Sequence, residues 1–146
     1  MWNSKEISSA LNVNLPKKIN FSDICIDSRN ISKNSLFFPI IGERFDGHNY
    51  INEALNNGAI ASIVNQGRFK KNEIRQFKDK LLIPVENSLI SLAQLAVYSR
   101  TRAKNMTMLC ITGSNGKTSV KNWLKRILEK QIKTHSTEGN LNNHIG

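Results

Sequence analysis

Cys110-Ile111-Thr112-Gly113-Ser114-Asn115-Gly116-Lys117-Thr118-Ser119 decides the reading of this chain. An apolar run, Met106 to Ile111, feeds a small glycine-flanked loop that ends in Gly-Lys-Thr and opens into a helical pattern. Strand, glycine loop and helix, in that order, cradle a nucleoside triphosphate. Gly113 and Gly116 let the backbone turn tightly and bring its N–H groups against phosphate oxygens. A helix starting near Lys117 adds its positive dipole end. Lys117 places a mobile cation on the β- and γ-phosphates, and the Thr118 hydroxyl suits Mg2+. The loop is short: only Ser114 and Asn115 separate the glycines, where the common pattern has four residues. A chance Gly-Lys-Thr is common in loops, but one between an apolar strand and an amphipathic helix has the context the motif requires.

Working outward, Lys117 to Lys130 reads as a helix with Val120, Leu124, Ile127 and Leu128 facing inward, and Lys133 to Ser136 as the start of a strand. Upstream, Leu89, Leu92, Ala93, Ala96 and Val97 form the stripe of a helix capped by Asn87 or Ser88. Leu81 to Val85 and Ala59 to Val64 read as short strands, with a basic, unassigned segment from Arg68 to Lys80 between them. Tyr50, Ile51, Ala54 and Leu55 recur at helical spacing and stop at Asn57-Gly58. Leu36 to Ile41 and Phe21 to Asp27 are strand candidates, and Pro39 must sit at an edge, a bulge or a strand end. Trp2 to Leu11 reads as a helix with Ser4 as its cap. Alternating strands and helices make this an α/β chain. The boundary falls near Pro84, giving a small unit over 1–83 and, over 84–146, the beginning of a mostly parallel nucleotide-binding domain. That second unit is expected to be incomplete, since an open parallel sheet normally uses more strands.

The 146 residues are 39% hydrophobic and 22% charged, which fits a folded, water-soluble protein. No stretch has the length of an apolar membrane span, and the N-terminus lacks a signal peptide's apolar core, so the expected compartment is the cytoplasm. Cys25 and Cys110 fall in strand candidates and read as small buried hydrophobes. His48, His135 and His144 are scattered, without zinc-site spacing. The net charge of +10 invites a nucleic-acid reading, but the lysines are spread out and no aromatic-interleaved basic stripe appears. Strongly salt-dependent binding to DNA or RNA is the observation that would revive it.

Further motifs complete a pattern. Asp27-Ser28-Arg29 follows a strand, Leu36-Phe37-Phe38 leads to Gly42-Glu43-Arg44-Phe45-Asp46-Gly47-His48, and Gly139-Asn140-Leu141-Asn142-Asn143-His144-Ile145-Gly146 follows the phosphate loop and its helix. Together with the short phosphate loop, these resemble the Mur ligases of peptidoglycan synthesis, and within them the branch that adds D-Ala-D-Ala to UDP-MurNAc-tripeptide. The likeness covers the whole chain but only about the N-terminal third of a typical member.

The resemblance implies a small UDP-binding N-terminal domain followed by the start of a P-loop central domain. It implies ATP and Mg2+ as cofactors, UDP-MurNAc-tripeptide and D-Ala-D-Ala as substrates, and a monomeric, cytoplasmic ligase that works through an acyl phosphate. Gly113, Ser114, Asn115, Gly116, Lys117, Thr118 and Ser119 would hold the phosphates, with Lys117 and Thr118 catalytic and Thr118 on the metal. Ser28 and Arg29 would meet the UDP moiety, for which a hydroxyl and a planar guanidinium are suited. On residues alone, Asp27-Ser28-Arg29 reads first as a strand-end turn with a local ion pair, and the rest of the pattern turns the reading to ligand contact. Glu43, Arg44 and Phe45 match the family loop that approaches uracil, although Phe45 fits a core position too, and Asp46-Gly47-His48 shapes the loop. Asn140, Asn142 and Asn143 match the segment that meets the sugar and the start of the peptide, or else a polar turn. The family's further metal ligands and C-terminal domain have no counterpart here, so the chain alone is expected to be inactive. A non-catalytic or degenerate UDP-sugar-binding or nucleotide-binding fragment is the alternative.

Overall fold

The computed structural model describes residues 1–16, 18–69, 77 and 80–137. The chain forms two compact units, Met1–Arg102 and Ala103–Gly146.

In the first unit the elements run β1 (Trp2–Asn3), α1 (Ser4–Leu11), β2 (Asn20–Phe21), β3 (Ile24–Cys25), a 3-10 turn (Ser28–Asn30), β4 (Leu36–Phe37), a second 3-10 turn (Gly47–Tyr50), α2 (Ile51–Asn56), β5 (Ala61–Asn65), β6 (Leu81–Val85) and α3 (Ser88–Arg102). Strands β3-β4-β5-β6 form a parallel sheet in chain order, and β1 pairs with β2 antiparallel. The period-two pattern of a strand divides its side chains between two faces. Leu36 of β4 and Phe38 just after it, with Ala61 and Ile63 of β5, join Ile7, Leu11 and Leu95 in one core. Phe37 and Val64 point the other way and pack with Ile51, Ala54 and Leu55 of α2. The sheet is therefore covered on both faces, as parallel sheets require.

Local chemistry explains where the elements stop. The strand expected over Phe21 to Asp27 is two strands in two sheets: Phe21 pairs with Trp2, whereas Ile24 pairs with Leu36. At the switch, the Ser22 hydroxyl donates to the Lys33 carbonyl and the Asp23 carboxylate accepts from the Ile24 N–H. β4 ends after Phe38 donates to the Cys25 carbonyl at 2.7 Å, and Pro39, without an N–H, lies just beyond. Pro84 sits within β6, an edge strand of this sheet, where a missing donor is tolerated. Helix α1 is capped by Asn3 rather than Ser4, because Asn3 and Glu6 form a reciprocal capping box. Helix α3 packs against α1 and β5, so the first unit continues to Arg102, past the boundary drawn near Pro84.

The second unit contains one helix among its described residues, α4 (Lys117–Leu128). Met106 to Thr112, expected as a strand, forms no ladder among the described residues, since a strand exists only with a partner to pair with. Met108, Leu109 and Cys110 are exposed there, so Cys110 is not the buried residue expected, and Cys25 is only half-buried. Helix α4 likewise has no buried residue: Val120 and Ile127 are exposed, while Leu124 and Leu128 are half-buried. Lys133 to Ser136 is irregular.

Candidate functional site

Parallel strands all release their following loops at one edge of the sheet, and open α/β sheets bind ligands at that edge. In the first unit β3 leads to Ser28–Asn30 and β4 to the Ile40–Gly47 loop. Fold topology thus brings Ser28, Arg29, Glu43, Arg44 and Phe45 to the carboxyl edge.

Asp27 caps the first of these turns, accepting from the Arg29 N–H at 3.0 Å. The same carboxylate takes a two-pronged contact from the guanidinium, Arg29 Nε at 2.9 Å and Nη2 at 2.8 Å. The Arg29 side-chain hydrogen bond, then its backbone N–H, lowers the Asp27 carboxyl to about 2. The local ion pair read as one option from sequence is therefore present. It engages two of the five guanidinium donors and leaves the Arg29 side chain 79% exposed. Ser28 is buried, and its carbonyl accepts from Asn57 Nδ2 at 2.9 Å.

The second loop is a narrow hairpin. Ile41 bridges Asp46, the Gly42 N–H donates to the Phe45 carbonyl at 2.8 Å, and the Gly47 N–H donates to the Ile40 carbonyl at 2.9 Å. Gly47 is required by crowding, since a Cβ there would lie 2.6 Å from the Ile40 nitrogen and 2.9 Å from the Pro39 Cα. Glu43, Arg44 and Phe45 stand at the tip, all exposed; Phe45, at 70% exposure, is not a core residue.

Below the tip, His48 has a side chain only 1% exposed. Its Nδ1 lies 2.8 Å from Asp46 Oδ1, and its Nε2 lies 3.1 Å from the Asn65 nitrogen. A backbone N–H can only donate, so Nε2 accepts and the ring proton is on Nδ1. Asp46 also caps the 3-10 turn through the His48 N–H and contacts the Arg68 guanidinium. Burial raises the Asp46 pKa, but the His48 and Arg68 contacts outweigh it, and the carboxyl is held below its usual range. His48 shapes the loop, as its sequence position suggested. Sequence reasoning missed Asn65 and Ser88, which lie in other elements: Asn65 Oδ1 accepts from the Ser88 N–H at 2.8 Å, and Ser88 Oγ donates to the Pro39 carbonyl at 2.5 Å. No spacing rule links positions so far apart, and only the parallel register of β4, β5 and β6 reveals them.

In the second unit, Gly113 has φ 148° and Gly116 has φ 77°, the region that favours glycine. Gly116 is the N-cap of α4 and, having no side chain, makes no side-chain cap of its own. Lys117 folds back over the loop, with Nζ 2.5 Å from the Gly113 carbonyl and 3.5 Å from that of Ser114. Ser114, Asn115, Thr118 and Ser119 are exposed. The glycine geometry and the lysine poised over the loop fit a triphosphate. No group of three His, Cys, Asp or Glu side chains among the described residues could hold a metal, and Thr118, the metal-ligand candidate of the sequence, is exposed at the start of α4. Asn140, Asn142 and Asn143 lie outside the described residues.

A shallow groove between α1 and α3, lined by Ala10, Ile90, Ala93, Val97 and Tyr98, contains none of these residues. No helix among the described residues is long and apolar enough to cross a membrane.

Residues 20–100 match the Mur ligase family, catalytic domain, and residues 111–146 match the Mur ligase middle domain. The chain is 38% identical over 146 residues to the UDP-N-acetylmuramoyl-tripeptide–D-alanyl-D-alanine ligase of Rickettsia prowazekii, covering 100% of this chain and 31% of that protein. It is 35% identical over 130 residues to the UDP-N-acetylmuramoyl-L-alanyl-D-glutamate–2,6-diaminopimelate ligase of Caldanaerobacter subterraneus, covering 88% of this chain and 26% of that protein. Among solved structures, MurF from Acinetobacter baumannii aligns with TM-score 0.82 and 28% identity over 99% of this chain and 31% of its own. MurF ligase from Thermotoga maritima, in complex with ADP, aligns with TM-score 0.61 and 31% identity over 87% of this chain and 28% of its own. The chain thus spans about a third or less of the length of these relatives.

Proposed function

The chain belongs to the Mur ligase family, and on that premise we propose that it serves ATP-dependent ligation of D-Ala-D-Ala to UDP-MurNAc-tripeptide. In this reading the first unit holds the UDP end of one substrate and the second unit holds ATP. The observation that carries it is the short phosphate loop, with Gly113 and Gly116 at positive φ and Lys117 over the loop carbonyls. The relatives named for this reaction support the choice of substrate.

Each residue has a defined task. Backbone N–H groups from Gly113 to Ser119 bind the phosphate chain, and Lys117 turns from the Gly113 carbonyl to charge developing on the γ-phosphate. Thr118 would hold Mg2+, which would supply further charge neutralisation. The substrate carboxylate forms a bond to the γ-phosphorus as the bridging oxygen leaves with ADP. The amine of D-Ala-D-Ala then bonds to the acyl carbon, phosphate departs, and the amine's proton passes to solvent. Such chemistry depends on positioning and needs no protein nucleophile. Arg29 and Ser28 meet the diphosphate, Glu43, Arg44 and Phe45 the uracil, and Asn140, Asn142 and Asn143 the sugar and first peptide groups. The site belongs to the cytoplasm, where ATP and the UDP-linked precursor meet.

The likeness to a diaminopimelate ligase favours a second reading, in which the same units take the UDP-linked dipeptide. Calorimetric titration with each UDP-sugar peptide separates the two. We expect the tripeptide form to bind, and Arg29→Ala to weaken it roughly tenfold to a hundredfold, the value of a charged hydrogen-bond pair. Preference for the dipeptide form would establish the second reading, and no binding of either by a folded chain would remove both.

A further inference from the structure

We propose that His48, Asn65 and Ser88 are positioning residues: they clamp both stems of the Ile40–Gly47 loop and so preset Glu43, Arg44 and Phe45 for the substrate. This rests on the reading of that tip as a substrate contact. The tip is exposed, Phe45 included, so the hydrogen bonds that fix its direction act at the base.

Both bases are held by buried polar groups. On the entering side, Ser88 Oγ donates to the Pro39 carbonyl, the last before the loop, and Ser88 is 2% exposed. On the leaving side, the His48 ring is gripped at both nitrogens, by Asp46 and by the Asn65 N–H. The two sides are joined, because Asn65 Oδ1 accepts from the Ser88 N–H. Pro39, the loop, His48, Asn65 and Ser88 therefore form a closed circuit. Gly47 fits inside it only because it has no Cβ, which would collide with the backbone of Pro39 and Ile40. Buried polar networks that are fully satisfied specify one arrangement. A lone loop would need no such circuit, as hairpin tips tolerate mobility.

The ring also demands one state of His48. Asn65 can donate only to an unprotonated Nε2, so the clamp exists with the proton on Nδ1, where it faces the Asp46 carboxylate. Long-range imidazole 15N spectra of the chain should show that tautomer, and a proton on Nε2 would overturn the proposal.

The deciding experiment compares amide hydrogen exchange at Gly42 and Gly47, in the loop, with that at Ile63, inside β5, and measures the Kd for UDP-MurNAc-tripeptide. In Ser88→Ala and in His48→Ala we expect exchange at Gly47 to rise up to about tenfold, the effect of one lost hydrogen bond, with Ile63 unchanged and the Kd raised by a similar factor. His48→Gln, which can offer an amide oxygen to the Asn65 N–H, should recover most of both. In the double Ala variant the effects should fall short of multiplicative, as for residues in one network. Equal acceleration at Ile63 would mean a general structural role and overturn the clamp, as would unchanged exchange at Gly47. A wild-type chain that binds the UDP ligand, with variants binding equally well, would overturn the clamp and leave the functional reading intact. A folded wild-type chain that binds none would remove that reading and the clamp's purpose together.

Discussion

Arg29 illustrates how one side chain can serve both a fold and a ligand. Its guanidinium locks the Asp27 carboxylate in a two-pronged contact, which, with the Arg29 N–H, lowers that carboxyl from 3.8 to about 2. A depressed folded value contributes stability that is fully present above the unfolded value near 3.8 and is lost as pH falls through about 2. In Arg29→Ala the largest cause disappears, so the Asp27 titration observed by carbonyl 13C NMR should move up toward 3.8, stopping short because the backbone N–H at residue 29 still donates. An unchanged midpoint would show that the ion pair does not form in solution. Ligand provides a second arm: if phosphates draw the guanidinium away, saturating UDP-sugar should raise the Asp27 value in the wild-type chain as well. On residues alone Asp27-Ser28-Arg29 reads first as a turn with an ion pair, and only the wider motif pattern turns the reading toward ligand contact. The geometry supports their coexistence, since the pair leaves most of the guanidinium open.

At the scale of elements, α1 shows what local pattern reveals and where it misleads. The helix was legible from Ile7, Ala10 and Leu11, yet the cap was placed one residue late. Ser4 and Asn3 are both good caps, and the deciding sign was Glu6, three residues after Asn3, which closes a reciprocal box. Ser4 instead ties to Ile19, donating its N–H to the Ile19 carbonyl at 2.8 Å. Glu6 also reaches Arg102 of α3 at 2.5 Å, and that guanidinium lies 4.2 Å from the centre of the Trp2 ring. Asn3→Ala should therefore cost about 1 kcal/mol in urea unfolding followed by tryptophan fluorescence, the usual value of a cap. Glu6→Ala should cost more, because it removes the return arm of the box and the Arg102 partner together. The reverse order would mean that the box, and not its link to α3, carries the energy. Met106 to Thr112 is the opposite case: its residues favour a strand, but pairing is a property of two segments, and propensity in one does not supply the other.

For the molecule as a whole, strands alternating with helices made the α/β layering legible, and adjacent side chains of β4 and β5 do divide between two separate cores. What could not be read was the allegiance of α3. Its apolar stripe announced a buried face without naming the neighbour that buries it, so a helix next to the phosphate-loop motif was assigned forward along the chain. In the structure it turns back onto α1 and β5, and Leu95, 2% exposed, lies in the core with Ile7 and Ile83. Two shortened chains test the difference. One ending at Arg102 should keep the dispersed amide spectrum of β3 to β6, since every hydrogen bond described around the Ile40–Gly47 loop lies within Met1–Arg102. One ending at Ile83, the boundary suggested by sequence, loses Ser88, Leu95 and the part of one sheet face that α3 covers beside α1. Burial of Leu95 alone is worth about 1.5–3 kcal/mol, a large share of a small domain's net stability. We expect the Ile83 chain to be unfolded or aggregated. If it gives the same dispersed spectrum, α3 is dispensable to the first unit and the earlier boundary is the true one.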